Sequence, residues 1–211
     1  MKLLTVGDSF TFGEELSDVT DNVTPSRFAW PELLANQLGW QVVNLAKPAS
    51  GNTRMVRNVV TEINNHEVFI IAWSHWARIE FADDIGIFDI WPGCSALPHE
   101  QFKFSLHRKT AVDYVTRYHS DDYLIRQYLL NVELLETFLK YHKKKYIMLS
   151  AFGFPIKTNK TFTNYLGWPN ETMMEWTYRT PQGPGGHFLE QGHVIVADKI
   201  NEYIRHLGWV S

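Results

Sequence analysis

The sequence predicts an α/β fold in which helices cover both faces of a mostly parallel sheet, a three-layer α/β/α sandwich. Short apolar stretches rich in β-branched residues alternate along the chain with longer stretches of helical periodicity. That alternation is typical of a parallel sheet whose strands are joined by helices. The length of 211 residues, with 45% hydrophobic residues, fits one domain with a sizeable core. We therefore expect a single domain over residues 1–211.

The first half of the chain supplies three strands and two helices. Strands are predicted at 2–6, 40–45 and 67–73, and helices at 26–39 and 52–65. Ser26 is the expected cap of the first of these helices, and Gly39 its expected end. The second helix carries apolar residues at helical spacing on one face.

The second half adds a long helix, a strand and a closing helix. The helices are predicted at 121–144 and 188–208, and the strand at 145–152. The long helix has acids at its start and lysines at its end, as the helix dipole favours. The stretch at about 81–120 has no clear periodicity, and we interpret it as an insertion or lid. Residues 153–186 are predicted to be irregular.

The loops that follow the strands point to one functional edge. In open parallel sheets, the ligand site lies at the carboxyl ends of the strands. Ser9, Gly51, the stretch 73–78 and the loop 153–187 all follow predicted strands or precede the last helix. We expect them to converge.

Ser9 is the candidate nucleophile and His187 its candidate base. A serine hydroxyl needs a general base within hydrogen-bond reach and donors for the oxyanion that forms after attack. Gly7 permits a sharp turn after the first strand, and His187 follows a Gly-rich loop at the start of the last helix. The alternative is that Gly-Asp-Ser is only a turn and that His187 is structural, as lone histidines often are.

Three segments in order resemble the SGNH (GDSL) hydrolases: "VGDSFTFGEEL", "NLAKPASGNT" and "HFLEQGHVIVADKI". Within that family they look most similar to divergent proteins of tailed phages. The resemblance implies a flavodoxin-like sheet, Ser9 as nucleophile and His187 as general base. It also implies oxyanion donors in the backbone N–H groups of Ser9 and Gly51, with Ala49 as the alternative to Gly51.

The chain departs from the family pattern at two positions. The third segment usually contributes an Asn donor, but here it reads "AWSHWARIE", so Ser74, His75 or the Trp76 indole would have to donate instead. The acid that normally stands three residues before the histidine is replaced by Pro184. We expect either a backbone carbonyl of the turn at 184–186 or an acid from elsewhere to orient the imidazole.

Substrate contacts are expected from residues on the same edge, namely Asp8, Asn52, Trp73, His75, Trp76 and Arg78. Arg78 could bind a carboxylate or phosphate of the substrate with two hydrogen bonds. The alternative is a surface ion pair between Arg78 and Glu80. Eight tryptophans indicate either a bulky core or loops that stack on sugars or acyl groups.

Composition excludes several classes of function. A net charge of −3 gives no electrostatic footprint for nucleic acid or an anionic membrane. The apolar run at the start of the chain is too short for a signal peptide, and Cys94 is the single cysteine. We therefore expect a cytoplasmic protein or, if the protein is viral, one of the virion or the host cytoplasm. His99, His107 and His119 lack zinc-ligand spacing, and we expect neither a metal nor an organic cofactor.

These observations predict a serine esterase that works through an acyl-enzyme. The preferred substrate is a small acyl ester, such as an acetyl group on a carbohydrate, with lipid esters and thioesters as alternatives. The rival interpretation is a weak or inactive module of the same fold that binds a glycan or protein partner. A nucleotide-binding or receiver domain is a third, although no phosphate-binding loop or aspartate cluster is visible. The oligomeric state is not predicted.

Overall fold

The computed structural model describes residues 1–83, 86–91, 105–153, 156 and 158–210. Its strands are β1 (Lys2–Val6), β2 (Gln41–Asn44), β3 (Val68–Trp73), β4 (Ile79–Asp83), β5 (Gly86–Ile90) and β6 (Lys145–Ser150). Its helices are α1 (Ser9–Phe12), α2 (Trp30–Leu38), α3 (Asn52–Thr61), α4 (Ser105–Asp113), α5 (Asp121–Tyr141), α6 (Met173–Thr177) and α7 (Glu190–His206). A π-helical turn (Tyr114–Tyr118) follows α4.

Four strands form one parallel sheet in the order β2-β1-β3-β6. All six residues of β3 are buried, because helices cover both faces of the sheet. Leu4 pairs with Phe69 in β3, and Phe69 in turn pairs with Tyr146 in β6. The predicted parallel sheet is confirmed.

Successive residues of β3 point to opposite faces and so serve two separate hydrophobic layers. Val68 and Ile70 pack with α2 and α7 on one face, in a cluster that includes Trp30, Val196 and Ile200. The intervening residues pack on the other face with α3 and α5, in a cluster that includes Phe69, Ile71, Met55, Val59 and Val132. These two layers make the three-layer α/β/α sandwich that the sequence predicts.

The helix predicted at 26–39 begins later than expected, at Trp30. The Ser26 hydroxyl accepts from the N–H of Phe28 and donates to Asp18, so it stabilises a turn rather than capping the helix. Pro31 stands in the first helical turn, where its missing N–H costs no hydrogen bond. The helix ends before Gly39, as expected.

The stretch at 81–120 contains more regular structure than its sequence indicates. β4 and β5 form an antiparallel hairpin, and α4 precedes α5. Residues 84–85 and 92–104, which include Cys94 and His99, lie outside the described residues, as does the side chain of His107. The stretch predicted to be irregular at 153–186 contains the short helix α6. Among the described residues, no helix is long and apolar enough to cross a membrane.

Candidate active site

Ser9 is the first residue of α1, directly beyond the carboxyl end of β1. Asp8 caps this short helix by accepting from the N–H of Phe10 at 3.1 Å. A side chain at Gly7 would overlap that of Thr11, so glycine is what allows α1 to turn back so soon after the strand. Ser9 is 2% exposed and lies at the edge of the sheet where the sequence predicts the site.

His187 is held by Glu15, the acid from elsewhere in the chain that the sequence alone leaves unidentified. The Nδ1 of His187 lies 2.8 Å from Oε2 of Glu15. The same carboxylate accepts from the backbone N–H of Gly185 at 2.6 Å and from that of His187 at 3.2 Å. Burial raises the pKa of Glu15, but these hydrogen bonds and the nearby imidazole outweigh it, so the pKa lies below its usual value. Glu15 is therefore charged at neutral pH and orients the imidazole.

Glu15 lies near the start of the chain, far in sequence from the residues that precede His187. Glu15 follows Ser9 by six positions, and its backbone is left-handed, with φ +70°. Gly13 is also left-handed, and together they reverse the chain after α1. The sequence does contain a signal for this acid, the pair Glu14-Glu15. Because these two residues follow Ser9 so closely, they must lie near the same edge of the sheet.

Ser9 and His187 line one cavity of about 710 Å³, together with Glu14, Arg78 and Phe152. Among the described residues, the Ser9 hydroxyl makes no hydrogen bond with His187. The Nε2 of His187 faces Oε2 of Glu14 at 3.5 Å instead. The imidazole thus lies between two carboxylates, one on each nitrogen.

The expected donor at Gly51 is engaged elsewhere. Its N–H donates to Oδ1 of Asp89 at 2.8 Å, and Asp89 also pairs with Arg54. Ala49 lines the cavity that holds Ser9, with its backbone at φ +62°. Among the described residues, the backbone N–H of Ala49 has no hydrogen-bond partner, which leaves it free for a ligand. The geometry therefore favours the alternative donor, Ala49, over Gly51.

Three residues that were expected to contact the substrate or the oxyanion instead form hydrogen bonds with one another. Ser74 donates its hydroxyl to Oδ2 of Asp8 at 2.5 Å and its N–H to Oδ1 of Asn52 at 3.0 Å. The Asn52 amide also donates to the carbonyl of His75 at 3.1 Å. All of Ser74, Asp8 and Asn52 are buried. They tie the ends of β1, β3 and the start of α3 together, because buried polar groups take partners inside the fold.

Two other aromatic candidates lie away from the cavity. Trp73 is fully buried in the core, with its ring 5.9 Å from that of Tyr128, because the last residue of β3 points into a helix-covered face. Trp76 stacks on His75 with ring centroids 4.7 Å apart. Burial lowers the pKa of His75, whose Nδ1 accepts from the N–H of Ala77. The expectation that Trp73 contacts substrate is not met.

Arg78, a predicted substrate contact, lies at the wall of the cavity. Its Nη1 is 3.2 Å from Oδ2 of Asp8, and its guanidinium lies 5.0 Å from the ring centre of Phe152. Trp91 also lines the cavity. The described residues include no group of three His, Cys, Asp or Glu side chains arranged to hold a metal ion.

Three solved structures to which this chain is similar are esterases. An esterase, EstA, from Pseudoalteromonas sp. inhibited by monoethylphosphonate has a TM-score of 0.55 at 11% identity, covering 98% of this chain and 97% of its own. A family two carbohydrate esterase from Clostridium thermocellum solved with cellohexaose scores 0.54 at 13% identity, covering 99% of this chain. This chain spans 65% of that protein. The acetyl xylan esterase AlAXEase scores 0.51 at 10% identity, covering 97% of this chain and 100% of its own.

At this level of identity the likeness shows the fold alone, which this chain shares with these esterases. No curated protein matches the chain in sequence. Nothing in these comparisons supports the narrower likeness to phage proteins. A sequence-family model matches residues 14–211, a range that includes Glu14, Glu15 and His187 and begins after Ser9. The chain accordingly belongs to the family described as a family of unknown function, DUF6071.

Proposed function

We propose that this protein is a serine esterase that acts through an acyl-enzyme, with Ser9 as nucleophile and His187 as general base. The observation that carries the proposal is the 2.8 Å contact between Glu15 and Nδ1 of His187 in the cavity that Ser9 also lines. A carboxylate on Nδ1 holds the tautomer whose Nε2 can accept a proton. The three residues supply nucleophile, base and orienting acid, which is the set that ester cleavage requires.

In the first half-reaction, Nε2 of His187 would take the Ser9 proton as Ser9 Oγ bonds to the ester carbonyl carbon. The imidazolium then returns that proton to the leaving alkoxide as the ester C–O bond breaks, and the acyl group stays on Ser9. In the second half-reaction, Nε2 would take a proton from water as the water oxygen bonds to the acyl carbon. The imidazolium returns that proton to Oγ of Ser9 as the bond between Oγ and the acyl carbon breaks, and the carboxylic acid leaves. For this to occur, Nε2 of His187 must leave Oε2 of Glu14 and approach Oγ of Ser9.

The tetrahedral intermediate would be stabilised by the N–H groups of Ser9 and Ala49, both of which line the cavity. Arg78 lies at the same wall, with its charge paired to that of Asp8. The family's third donor has no direct equivalent, since Ser74 donates inward to Asp8 and Asn52. Loss of one oxyanion donor typically costs about 10²–10³ in rate, so we expect a slow enzyme.

A small acyl ester on a carbohydrate is the substrate that the observations favour. A cavity of about 710 Å³ is larger than an acetyl group needs and has room for the alcohol portion of the ester. Phe10, Phe152 and Trp91 offer aromatic faces on its walls. The likeness in fold to a carbohydrate esterase and to an acetyl xylan esterase supports this choice of substrate class.

The test is hydrolysis of p-nitrophenyl acetate by the wild type, Ser9→Ala and His187→Ala. Ser17→Ala is the matched control, because Ser17 is an exposed serine that donates to Glu190. We expect both active-site variants to lose at least about 10³ in kcat/KM, while Ser17→Ala keeps the wild-type rate. Equal rates in all four proteins would show that Ser9 and His187 do not carry the reaction.

The second candidate function is a non-catalytic binding module. The contact of Glu14 with Nε2 of His187, and the lack of a Ser9–His187 hydrogen bond among the described residues, favour it. A fluorophosphonate probe discriminates the two, because only an activated serine is phosphonylated. Stoichiometric labelling at Ser9, detected by peptide mass spectrometry, supports the esterase. Lack of labelling with a properly folded protein supports the binding module.

A further inference from the structure

A second cavity, of about 370 Å³, lies between the start of α3, the segment leading into β4, and α5. Arg78 lines both this cavity and the one that holds Ser9, so the two are neighbours. The second cavity has taken no part in the chemistry described above.

The walls of the second cavity carry aromatic rings. Trp76 comes from the loop after β3, Phe81 from β4, Tyr114 from the π-helical turn and Tyr123 from the first turn of α5. Tyr123 is 58% exposed and lies at the rim. Burial raises the pKa of Tyr114, and the nearby Tyr123 raises it further.

Neutral hydrogen-bonding groups with spare capacity lie among these rings. Gln127 and Asn131 are one helical turn apart on α5, both half-buried, and both line the cavity. Among the described residues, neither side-chain amide has a hydrogen-bond partner, and neither do the hydroxyls of Tyr114 and Tyr123. Half-buried amides, and a half-buried phenol such as that of Tyr114, are normally satisfied by water or by a ligand.

The charges that line the second cavity are already paired. Oε1 of Glu80 lies 2.6 Å from Nη2 of Arg57 and 3.4 Å from Nη2 of Arg54. Arg78 pairs with the buried Asp8. Among its described lining residues, no other charged side chain is present. A ligand of net charge would therefore find no free counter-charge, whereas a neutral ligand rich in hydroxyl groups would find both stacking faces and amides.

We propose that the second cavity binds a neutral carbohydrate, with Tyr123 at its rim as the stacking surface and with Gln127 and Asn131 as hydrogen-bonding partners of sugar hydroxyls. An aromatic face covers the C–H side of a sugar ring, and an amide can both donate to and accept from hydroxyl groups. This proposal goes beyond ester hydrolysis, because binding here requires no turnover. Its position next to Arg78 would bring the carrier of an ester close to Ser9.

Binding is tested by isothermal titration of the full chain carrying Ser9→Ala, so that no ligand is consumed. The probes are xylohexaose, cellohexaose and mannohexaose, with oligogalacturonate as the charged comparison. We expect at least one neutral probe to bind with a Kd between micromolar and millimolar, and oligogalacturonate to bind at least tenfold more weakly. Adding Tyr123→Ala or Gln127→Ala should each weaken the neutral probe about tenfold.

Tyr141→Ala is the matched control, since Tyr141 is an 81%-exposed tyrosine at the far end of α5. It should bind like the parent protein. The proposal is overturned if none of the three neutral probes binds, if the charged probe binds as tightly, or if both cavity variants bind like Tyr141→Ala. Should Tyr123→Ala fail to fold by circular dichroism, Gln127→Ala decides alone. The p-nitrophenyl acetate assay involves no sugar, so it can fail or succeed independently.

Discussion

Glu15 gives the clearest test at the level of a single residue, because its carboxylate makes three contacts with the 185–187 turn. Glu15→Gln removes the negative charge and places either an amide N–H or a carbonyl opposite Nδ1 of His187. The imidazole then loses the partner that fixes its tautomer and stabilises its charged form. We expect kcat for p-nitrophenyl acetate to fall by about 10²–10⁴, with little change in KM.

The control for Glu15→Gln is Glu202→Gln, which removes a carboxylate from an exposed position on α7. That variant should keep the wild-type kcat. An unchanged kcat in Glu15→Gln would mean that the contact with Nδ1 is structural, and the proposed role of Glu15 would be wrong even if Ser9 proved essential.

The nucleophile and base could be proposed from the sequence because each stands in a local pattern: Ser9 after a glycine turn and His187 after a Gly-rich loop. Glu15 could not, since its contact with His187 joins residues 172 positions apart and depends on a left-handed backbone at Glu15 itself. Asp8, Asn52 and Ser74 were proposed at the site from their positions alone. Position did not reveal that these three satisfy one another inside the fold.

At the level of elements, α2 and α7 are joined by a buried histidine. Ala29, the residue before α2, provides no side-chain cap. The N–H of Trp30 donates instead to Nδ1 of His193, 3.1 Å away on α7. His193 is 1% exposed and packs against Phe188 with ring centroids 4.6 Å apart. A base in one helix therefore supplies the hydrogen bond that the start of another helix lacks.

His193→Leu keeps an apolar side chain in this space but leaves the N–H of Trp30 without an acceptor. A buried unsatisfied donor costs about 1–3 kcal/mol, and we expect the free energy of unfolding to fall by that amount. Urea denaturation at neutral pH measures it. His206→Gln, at an exposed position at the end of α7, is the control and should change stability by less than about 0.5 kcal/mol. A neutral His193→Leu would contradict the role assigned to this hydrogen bond.

The strands were predicted closely, whereas the ends of the helices and the insertion were not. Each strand is a short, continuous apolar run, and such a run is typical of a strand that is buried on both faces of a sheet, as at 68–73. Ser26 does not cap α2 because its hydroxyl donates to Asp18. This hydrogen bond joins residues eight positions apart, and local capping rules do not consider it. The hairpin of β4 and β5 carries Asp83 and Asp89 among apolar residues, which weakens the alternation that predicts strands.

For the whole molecule, the sheet order explains why the two ends of the chain meet at one site. β1 is a central strand between β2 and β3, and α7 packs on the face beside it. The loop before α7 therefore returns to the carboxyl end of β1, where Ser9 and Glu15 lie. The fold and the candidate site are built from the same contacts, so conditions that weaken the sheet-end contacts should weaken both.

Acid is such a condition, and the buried ionisable groups set the direction of its effect. Burial, with a smaller contribution from His187, lowers the pKa of His193 from 6.5 to about 3. In the unfolded chain the imidazole of His193 therefore binds a proton below about pH 6.5, whereas in the folded chain it binds one only near pH 3. The stabilisation is complete above pH 6.5 and is lost between these values, by up to about 1.4 kcal/mol per pH unit.

The carboxylates add to this loss at lower pH. Burial raises the pKa of both Glu15 and Glu136, but hydrogen bonds outweigh it, so that both lie below the usual 4.5. Their contributions are present above pH 4.5 and decline as the pH falls through the lowered values. We expect the free energy of unfolding, measured by urea titration from pH 8 to pH 3.5, to stay level down to about pH 6.5 and then to fall steadily. In His193→Gln, where the amide oxygen can still accept from the N–H of Trp30, the free energy of unfolding should begin to fall only near pH 4.5. The same urea midpoint for wild type and variant at every pH would mean that His193 does not control acid stability.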